Sequence, residues 1–285
     1  MADSLIGLLR WYADMGVDIA LDAEPHDRLA EAQAIVQRSE APPSPPSVAQ
    51  APRAPSETPT PTPVSRDKAV TTPAPALALE QSARDDAASA QSLEDLREKL
   101  LKFEGCGLKA TATQLVFGDG DPNAEVMFVG EAPGADEDRQ GIPFVGRAGQ
   151  LLNKMIESIG LERSKVYIAN VVPWRPPGNR TPTPLETAMC LPFIRRQIEL
   201  VGPKIVVCLG APSAQTLLGS KEGIMRLRGR WFDFVVGDQT IKAIAMLHPA
   251  YLLRQPGHKK LAWHDLRLLA KEIARLHAAS PRDSA

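Results

Sequence analysis

KIVVCLG at Lys204–Gly210, running directly into APSAQTLL at Ala211–Leu218, is the stretch that decides the fold. Its Ile and Val side chains follow one another without polar alternation, so the run reads as a strand buried on both faces. Gly210 then turns the chain into a helix opened by Ala211, Pro212 and Ser213, a tight entry whose free N–H groups suit a phosphate. Three more runs share this character: Ala124–Gly130 (AEVMFVG), Lys165–Val172 (KVYIANVV) and Ile241–Leu247 (IKAIAML). Helical stretches separate them at Arg147–Ile159 and Pro184–Val201, and a long helix at Leu261–His277 closes the pattern. A hairpin-like stretch, RGRWFDFVVGDQTIKAIAML, leads into the last strand. Alternating buried strands and helices predict a three-layer α/β/α sandwich around a central four-stranded parallel sheet. In such sheets the site lies beyond the carboxyl ends of the strands.

Upstream, SLEDLREKLLKF from Ser92 reads as an amphipathic helix with a serine cap and early acids. Before it the composition changes. Eleven prolines fall between Pro42 and Pro75, mixed with Ala, Ser and Thr, so residues 39–92 are expected to form a disordered linker. Residues 1–38 are acidic and contain SLIGLLRWYADMGVDIAL, which places Leu5, Leu8, Leu9 and Tyr12 on one helical face. That helix either packs back on the domain or frays in solution, or it docks into the groove of a protein partner. The folded part is then 93–279, with 280–285 as a tail.

Composition bounds the function. Of 285 residues, 44% are hydrophobic and 24% charged, which excludes a wholly disordered chain. No apolar run reaches the roughly 18–20 residues of a membrane span, and Met1–Arg10 lacks the layout of a secretory signal. Three cysteines make no disulfide framework and suit a reducing compartment; a cytoplasmic location, in a bacterial-type cytosol or nucleoid, is expected, and nothing in the sequence suggests more than a monomer. The net charge of −1 conceals a division: residues 1–92 carry 7 Lys+Arg against 13 Asp+Glu, and the rest carry 26 against 21. A domain of charge +5 tied to an arm of −6 points to a polyanionic partner for the domain.

Four polar, Gly- and Pro-rich loops follow the four strands. The first, GEAPGADEDRQGIPFVGRAGQLL, is neither a dinucleotide fingerprint nor a Walker loop, because both spacings are absent. Its glycines permit close approach to a flat ligand, and Phe144 offers a ring to that ligand, with core packing as the competing reading. The second strand ends on Asn170 and continues into PWRPPGNRTPTP, which includes Arg180. The fourth is followed at once by His248, a position equally open to structure or catalysis. Arg254, His258, Lys259 and Lys260 cluster nearby, and Arg226, Arg228 and Arg230 precede Trp231; both groups read as a phosphate-tracking surface.

Taken in order, GEAPG, GIPFVGRAGQLL, YIANVV, RPPGNRTP and HPAYLL closely resemble the motifs of the family 4 uracil-DNA glycosylases, over about Glu94–Leu276. The resemblance implies an enzyme that flips uracil out of DNA and hydrolyses its N-glycosidic bond to begin base excision repair. By motif, Gly130, Glu131 and Ala132 line the uracil pocket, Phe144 stacks on the ring, Asn170 reads the amide edge and His248 faces O2. Glu131, Asn170 and His248 are the expected catalytic set, with Glu131 or an acid from Asp136–Asp138 orienting water. Several relatives carry an Asp where this chain has Ala132. Ser213, Arg180, Tyr251, Leu252, Arg254 and Lys259 are expected on DNA, with Tyr251 and Leu252 pressing into the duplex. The chain lacks the basic, His-containing insert by which a related branch traps DNA covalently, so turnover is expected.

One departure concerns a cofactor. Family 4 members normally hold a [4Fe–4S] cluster on four cysteines, and only Cys106 and Cys190 stand at those places; Phe103 and Trp174 occupy the other two. Two thiolates do not hold a cubane cluster, so no metal cofactor is expected. Cys208, inside the strand VVCLG, reads as a structural thiol. The alternative function is a catalytically weak or inactive DNA-binding or recruitment protein on the same fold, which has no need to keep Glu131, Phe144, Asn170 and His248.

Overall fold

The computed structural model describes Gly7 and residues 74–279. Four strands run parallel: β2 (Val126–Gly130), β3 (Tyr167–Asn170), β4 (Ile205–Leu209) and β6 (Gln239–Met246). They coincide with the four expected apolar runs. Two antiparallel strands complete the sheet, the two-residue β1 (Asp119–Gly120) on β3 and β5 (Trp231–Val236) on β6, giving the order β1-β3-β2-β4-β6-β5. The sheet is therefore six-stranded around the expected parallel four. β5 is the first arm of the expected hairpin, and β1 is too short to leave a pattern in the sequence.

Alternation along each strand fills two cores. Met127 and Val129, Val206 and Cys208, and Ala243 and Ala245 face one side. Val126 and Phe128, Ile205, Val207 and Leu209, and Ile244 and Met246 face the other. The first side is covered by α1 (Ala74–Ser89), α2 (Leu93–Lys102) and α5 (Pro184–Val201). The second is covered by α4 (Arg147–Glu157) and α9 (Lys259–Ala279), through Leu152, Met155, Ile156, Leu266 and Leu269. Burial of each such side chain stabilises the fold by roughly 1.5–3 kcal/mol. Shorter helices lie within the connections: α3 (Ala135–Gln140), α6 (Ala211–Leu218), α7 (Ile224–Leu227) and α8 (Pro249–Arg254).

Local chemistry sets the helix ends. The Ser92 hydroxyl accepts from the Asp95 N–H at 3.1 Å, as its cap position demands. At α5 the Thr183 hydroxyl accepts from the Glu186 N–H at 3.2 Å, the Glu186 carboxylate accepts from the Thr183 N–H at 2.7 Å, and Gly202 ends the helix at φ 62°. Among the described residues no helix is long and apolar enough to cross a membrane.

Two expectations change. The C-terminal part of the linker expected over residues 39–92 is not a linker, because Ala74–Ser89 is helical and packs along α5 with Ala83, Ala87 and Ala90 buried; its residues 39–73 lie outside the described residues. Pro75 is tolerated in a first helical turn, and the alanines that follow favour helix and allow close approach. Arg196 of α5 locks the junction by donating to the Ala90 carbonyl at 3.1 and 2.7 Å. Nor is Arg228 a surface cation: it donates to the fully buried Asp265 at 3.0 and 2.6 Å, tying the chain before β5 to α9. The amphipathic helix expected near residues 5–12 and the 280–285 tail lie outside the described residues, Gly7 excepted. Gly7 is helical, and a Cβ there would stand 3.7 Å from the Trp263 ring.

A deletion series tests the packing of α1. Removal of residues 1–92 should lower the melting temperature relative to removal of 1–73, because it strips three buried alanines from α5. At about 0.8 kcal/mol per methyl the loss is about 2 kcal/mol, or roughly 4–8 °C in a domain of this size. Equal melting temperatures would return α1 to the linker.

Candidate active site

The parallel register places the pocket residues before any loop is considered. Gly130 at the end of β2 pairs with Asn170 at the end of β3, and His248 follows β6 by two residues. Around these ends lies a cleft of about 560 Å³, whose lining includes Glu131, Ala132, Phe144, Asn170, Arg180, His248, Tyr251 and Arg254. The structure thus gathers most of the expected residues on one edge. Gly130 sits beneath them for a steric reason: a Cβ there would come within 2.4 Å of Asn170 Oδ1 and 2.7 Å of Phe144 Cζ.

Phe144 is buried, yet its backbone has φ 53°, a left-handed conformation that is uncommon for an aromatic residue. Holding it costs on the order of 1–3 kcal/mol, which the surroundings must offset. Two contacts show how. Gly149 of α4 lets the helix approach so closely that a Cβ would lie 1.8 Å from the Phe144 carbonyl oxygen. The buried Glu137 carboxylate accepts from the N–H groups of Val145 and Gly146, both at 3.0 Å, and from Gly134 at 3.1 Å. The Phe144 ring then lies 5.6 Å from the His248 ring, centroid to centroid.

Asp138 is likewise committed to structure, accepting from Thr113 N–H and hydroxyl at 2.8 and 2.9 Å, and Asp136 pairs with Arg139. Glu131 differs from both. Its Oε1 is buried without a hydrogen-bond partner, as is Oδ1 of Asn170. A buried acceptor left unmet is costly, of order 1–3 kcal/mol, so two of them facing one cleft mark a place for donors from a ligand. Burial raises the Glu131 pKa above its ordinary value, against a hydrogen bond from Thr181.

His248 caps α8: its Nδ1 accepts the Ala250 N–H at 3.1 Å. Because an amide N–H only donates, the proton of the neutral ring resides on Nε2. Burial, with the Arg254 charge adding to it, pushes the pKa down to about 4. The ring is therefore a neutral donor at physiological pH. Gly210, at φ 89°, leaves room for it, since a Cβ there would lie 3.1 Å from His248 Cβ.

Several expected DNA contacts fall elsewhere. Ser213 is fully buried and donates to the Val129 carbonyl at 2.7 Å, tying α6 to β2, so its hydroxyl does not face a phosphate. Leu252 is fully buried in the second core, and Lys259 is 4% exposed. Leu253, one residue on, is exposed instead. Tyr251 keeps its place at the cleft, its hydroxyl 2.7 Å from His258 Nδ1. Arg180 is exposed at the cleft and donates to Glu186 at 2.8 and 2.6 Å. Thr181 lies within RPPGNRTP without a site signal of its own, and Glu137 and Gly149 support the site through folding contacts that no motif displays.

The thiols gather away from these groups. Cys106 and Cys190 are buried with their sulfurs 3.8 Å apart, in one apolar cluster with Phe103 and Trp174. The Phe103 ring lies 5.0 Å from that of Phe193. Cys208 is buried in β4, and that burial pushes its thiol up to about 12. Among the described residues no three groups of metal-ligating type come together, so the residues present do not fit a four-cysteine cluster.

Comparison with known proteins agrees with this geometry. The family profile described as Uracil DNA glycosylase superfamily matches residues 117–267. The type-4 uracil-DNA glycosylase of Archaeoglobus fulgidus is 43% identical over 170 residues, covering 58% of this chain and 85% of that one. That of Thermotoga maritima is 44% identical over 168 residues, covering 59% and 86%. The enzyme of the same type from Sulfurisphaera tokodaii is 42% identical over 189 residues, covering 64% and 85%. A matching profile across the whole sheet, and relatives covered over most of their length, leave one assignment: the chain belongs to the type-4 uracil-DNA glycosylases of the uracil-DNA glycosylase superfamily.

Proposed function

We propose that the chain excises uracil from DNA by drawing the flipped base against Phe144, with Asn170 on its amide edge, His248 at O2 and Glu131 beside the sugar. The observation that carries this is the pair of buried, unpartnered oxygens on Asn170 and Glu131 at one cleft. Asn170 Oδ1 accepts uracil N3–H while its amide donates to O4. Cytosine presents the opposite polarity at both places, leaving buried groups unpaired.

Cleavage breaks the C1′–N1 bond, and the electron pair leaves on uracil as an anion delocalised onto O2. His248 Nε2–H donates to that oxygen where charge develops, a preorganised interaction of the kind worth about 2.7–4 kcal/mol. Glu131, ionised, offsets the oxocarbenium-like sugar and takes the proton of the water whose oxygen bonds to C1′. Asp136, Glu137 and Asp138 are occupied with backbone and side-chain partners, which supports Glu131 over them in this role. On the duplex, Tyr251, Arg254 and exposed Leu253 of α8 replace the set that included Ser213, Leu252 and Lys259. We read the enzyme as a cytoplasmic monomer whose acidic arm is open to a protein partner.

The reading also holds that this chain works without an iron–sulfur cluster. Phe103 and Trp174 bury apolar area where two ligands would stand, of order 2–3 kcal/mol per ring, and Cys106 and Cys190 share a hydrogen bond.

Four outcomes test these statements. His248→Ala and Asn170→Ala should each slow single-turnover uracil release by about 10²–10³-fold while changing DNA affinity only a few-fold; full activity in either variant would refute the assigned roles. Loss of release on uracil-containing oligonucleotides by the wild-type chain, with binding intact, would favour a recruitment protein. The pH profile of kcat/KM should show one acid limb: activity falls as pH drops through the Glu131 pKa, displaced upward from the ordinary glutamate range. It should stay level through neutrality, because His248 titrates near pH 4, and Glu131→Gln should abolish the limb. Purified protein should be colourless, and iron near four atoms per chain would overturn the cluster-free reading.

A further inference from the structure

Glu137 holds the N–H groups of Val145 and Gly146, just after Phe144, but the carbonyls of Pro143 and Phe144 are held by a residue from farther along the chain. Arg163 stands in a short turn just before β3. Its guanidinium donates to the Pro143 carbonyl at 2.7 Å and the Phe144 carbonyl at 3.1 Å. The same group donates to Asn153 Oδ1 of α4 at 3.0 Å and to Asp119 of the edge strand β1 at 2.8 Å. Two ends of the fork therefore grip the backbone, while side chains from a helix and a strand fix the fork itself.

We propose that Arg163 is a positioning residue for uracil release, holding Phe144 in the left-handed conformation that presents its ring to the base. The proposal rests on the stacking role given to Phe144 above. Three features of the geometry argue for it over an ordinary surface ion pair. The side chain is only 22% exposed, so its four bonds are shielded from competing water. Both carbonyls it holds flank the residue with φ 53°, the one aromatic of the cleft held in an uncommon conformation. Its planar, rigid array of donors meets two successive carbonyls at once, which the single ammonium of lysine does not reproduce. Asp119 then has a second function: by fixing Nε it orients the two terminal nitrogens toward the loop.

Releasing the carbonyls lets the Phe144 backbone relax toward right-handed values and turns its ring away from the base. A displacement of about 1 Å at a reacting geometry costs on the order of 10²-fold in rate. Arg163→Ala should accordingly lower the single-turnover rate of uracil release by about 10–100-fold, with the KM for DNA changed less than about three-fold. Inhibition by free uracil should weaken in parallel, since the free base uses the same ring. Arg163→Lys should recover part of the rate, and Asp119→Asn should show a smaller loss of the same kind.

The deciding measurement is a double-mutant cycle with Phe144→Ala. If Arg163 acts through Phe144, the double variant should be no slower than Phe144→Ala alone. Additive losses, or unchanged inhibition by uracil, would overturn the proposal and leave Arg163 a stabilising residue. A loss confined to KM would make it a DNA contact instead, equally against the proposal. Full activity in Phe144→Ala itself would sink the stacking role first, so the two failures are distinguishable. Should Arg163→Ala fold poorly, the same cycle run with Arg163→Lys and Asp119→Asn decides the question.

Discussion

Four parallel strands with apolar side chains on both faces impose the constraint from which the remaining architecture follows. Such strands exclude water from either side, so helices must cover both, and polar groups are admitted only where the strands end. Glu131, Asn170 and His248 stand at or just past the carboxyl ends of three of these strands. The sheet register, set by buried Val, Ile and Ala, thereby aligns an amide, a carboxyl and an imidazole without any of them contributing to the alignment. Chemistry is placed by the core and then refined by loops.

Refinement depends on charge used inside the protein. Glu137 gathers three N–H groups from two loops, Arg163 gathers two carbonyls from one of those loops, and Arg228 with Asp265 fixes the approach to β5. Glu137 and Arg163 meet main-chain groups that a regular helix or strand would otherwise have satisfied, whereas Arg228 and the buried Asp265 meet each other. An irregular segment carrying an aromatic at positive φ needs such partners on both its donor and acceptor sides.

The strands, the Ser92-capped helix and the pocket motifs were legible because their signals are local: uninterrupted apolar runs, a serine ahead of early acids, and Gly-rich loops directly after strands. What failed depended on distance or phase. Leu252 and Leu253 are adjacent and chemically identical, and only the rotation of the six-residue α8 decides which one is buried. Ser213 looked available at a helix entrance until β2 supplied a carbonyl for it. Arg228 lay in a basic run but had an acid waiting 37 residues on. The start of α1 was hidden because a proline-rich average was carried past Pro75 into an alanine-rich helix.

The contact between His248 and the Ala250 N–H has a consequence of a different order. A ring nitrogen engaged by water or by another side chain can change its proton with the medium. Here the engaged partner is a peptide group, which does not titrate, rotate or exchange with a counterion. The tautomer that the imidazole shows to a substrate is thus written into the main chain of the helix it begins, and it is fixed as soon as that helix folds.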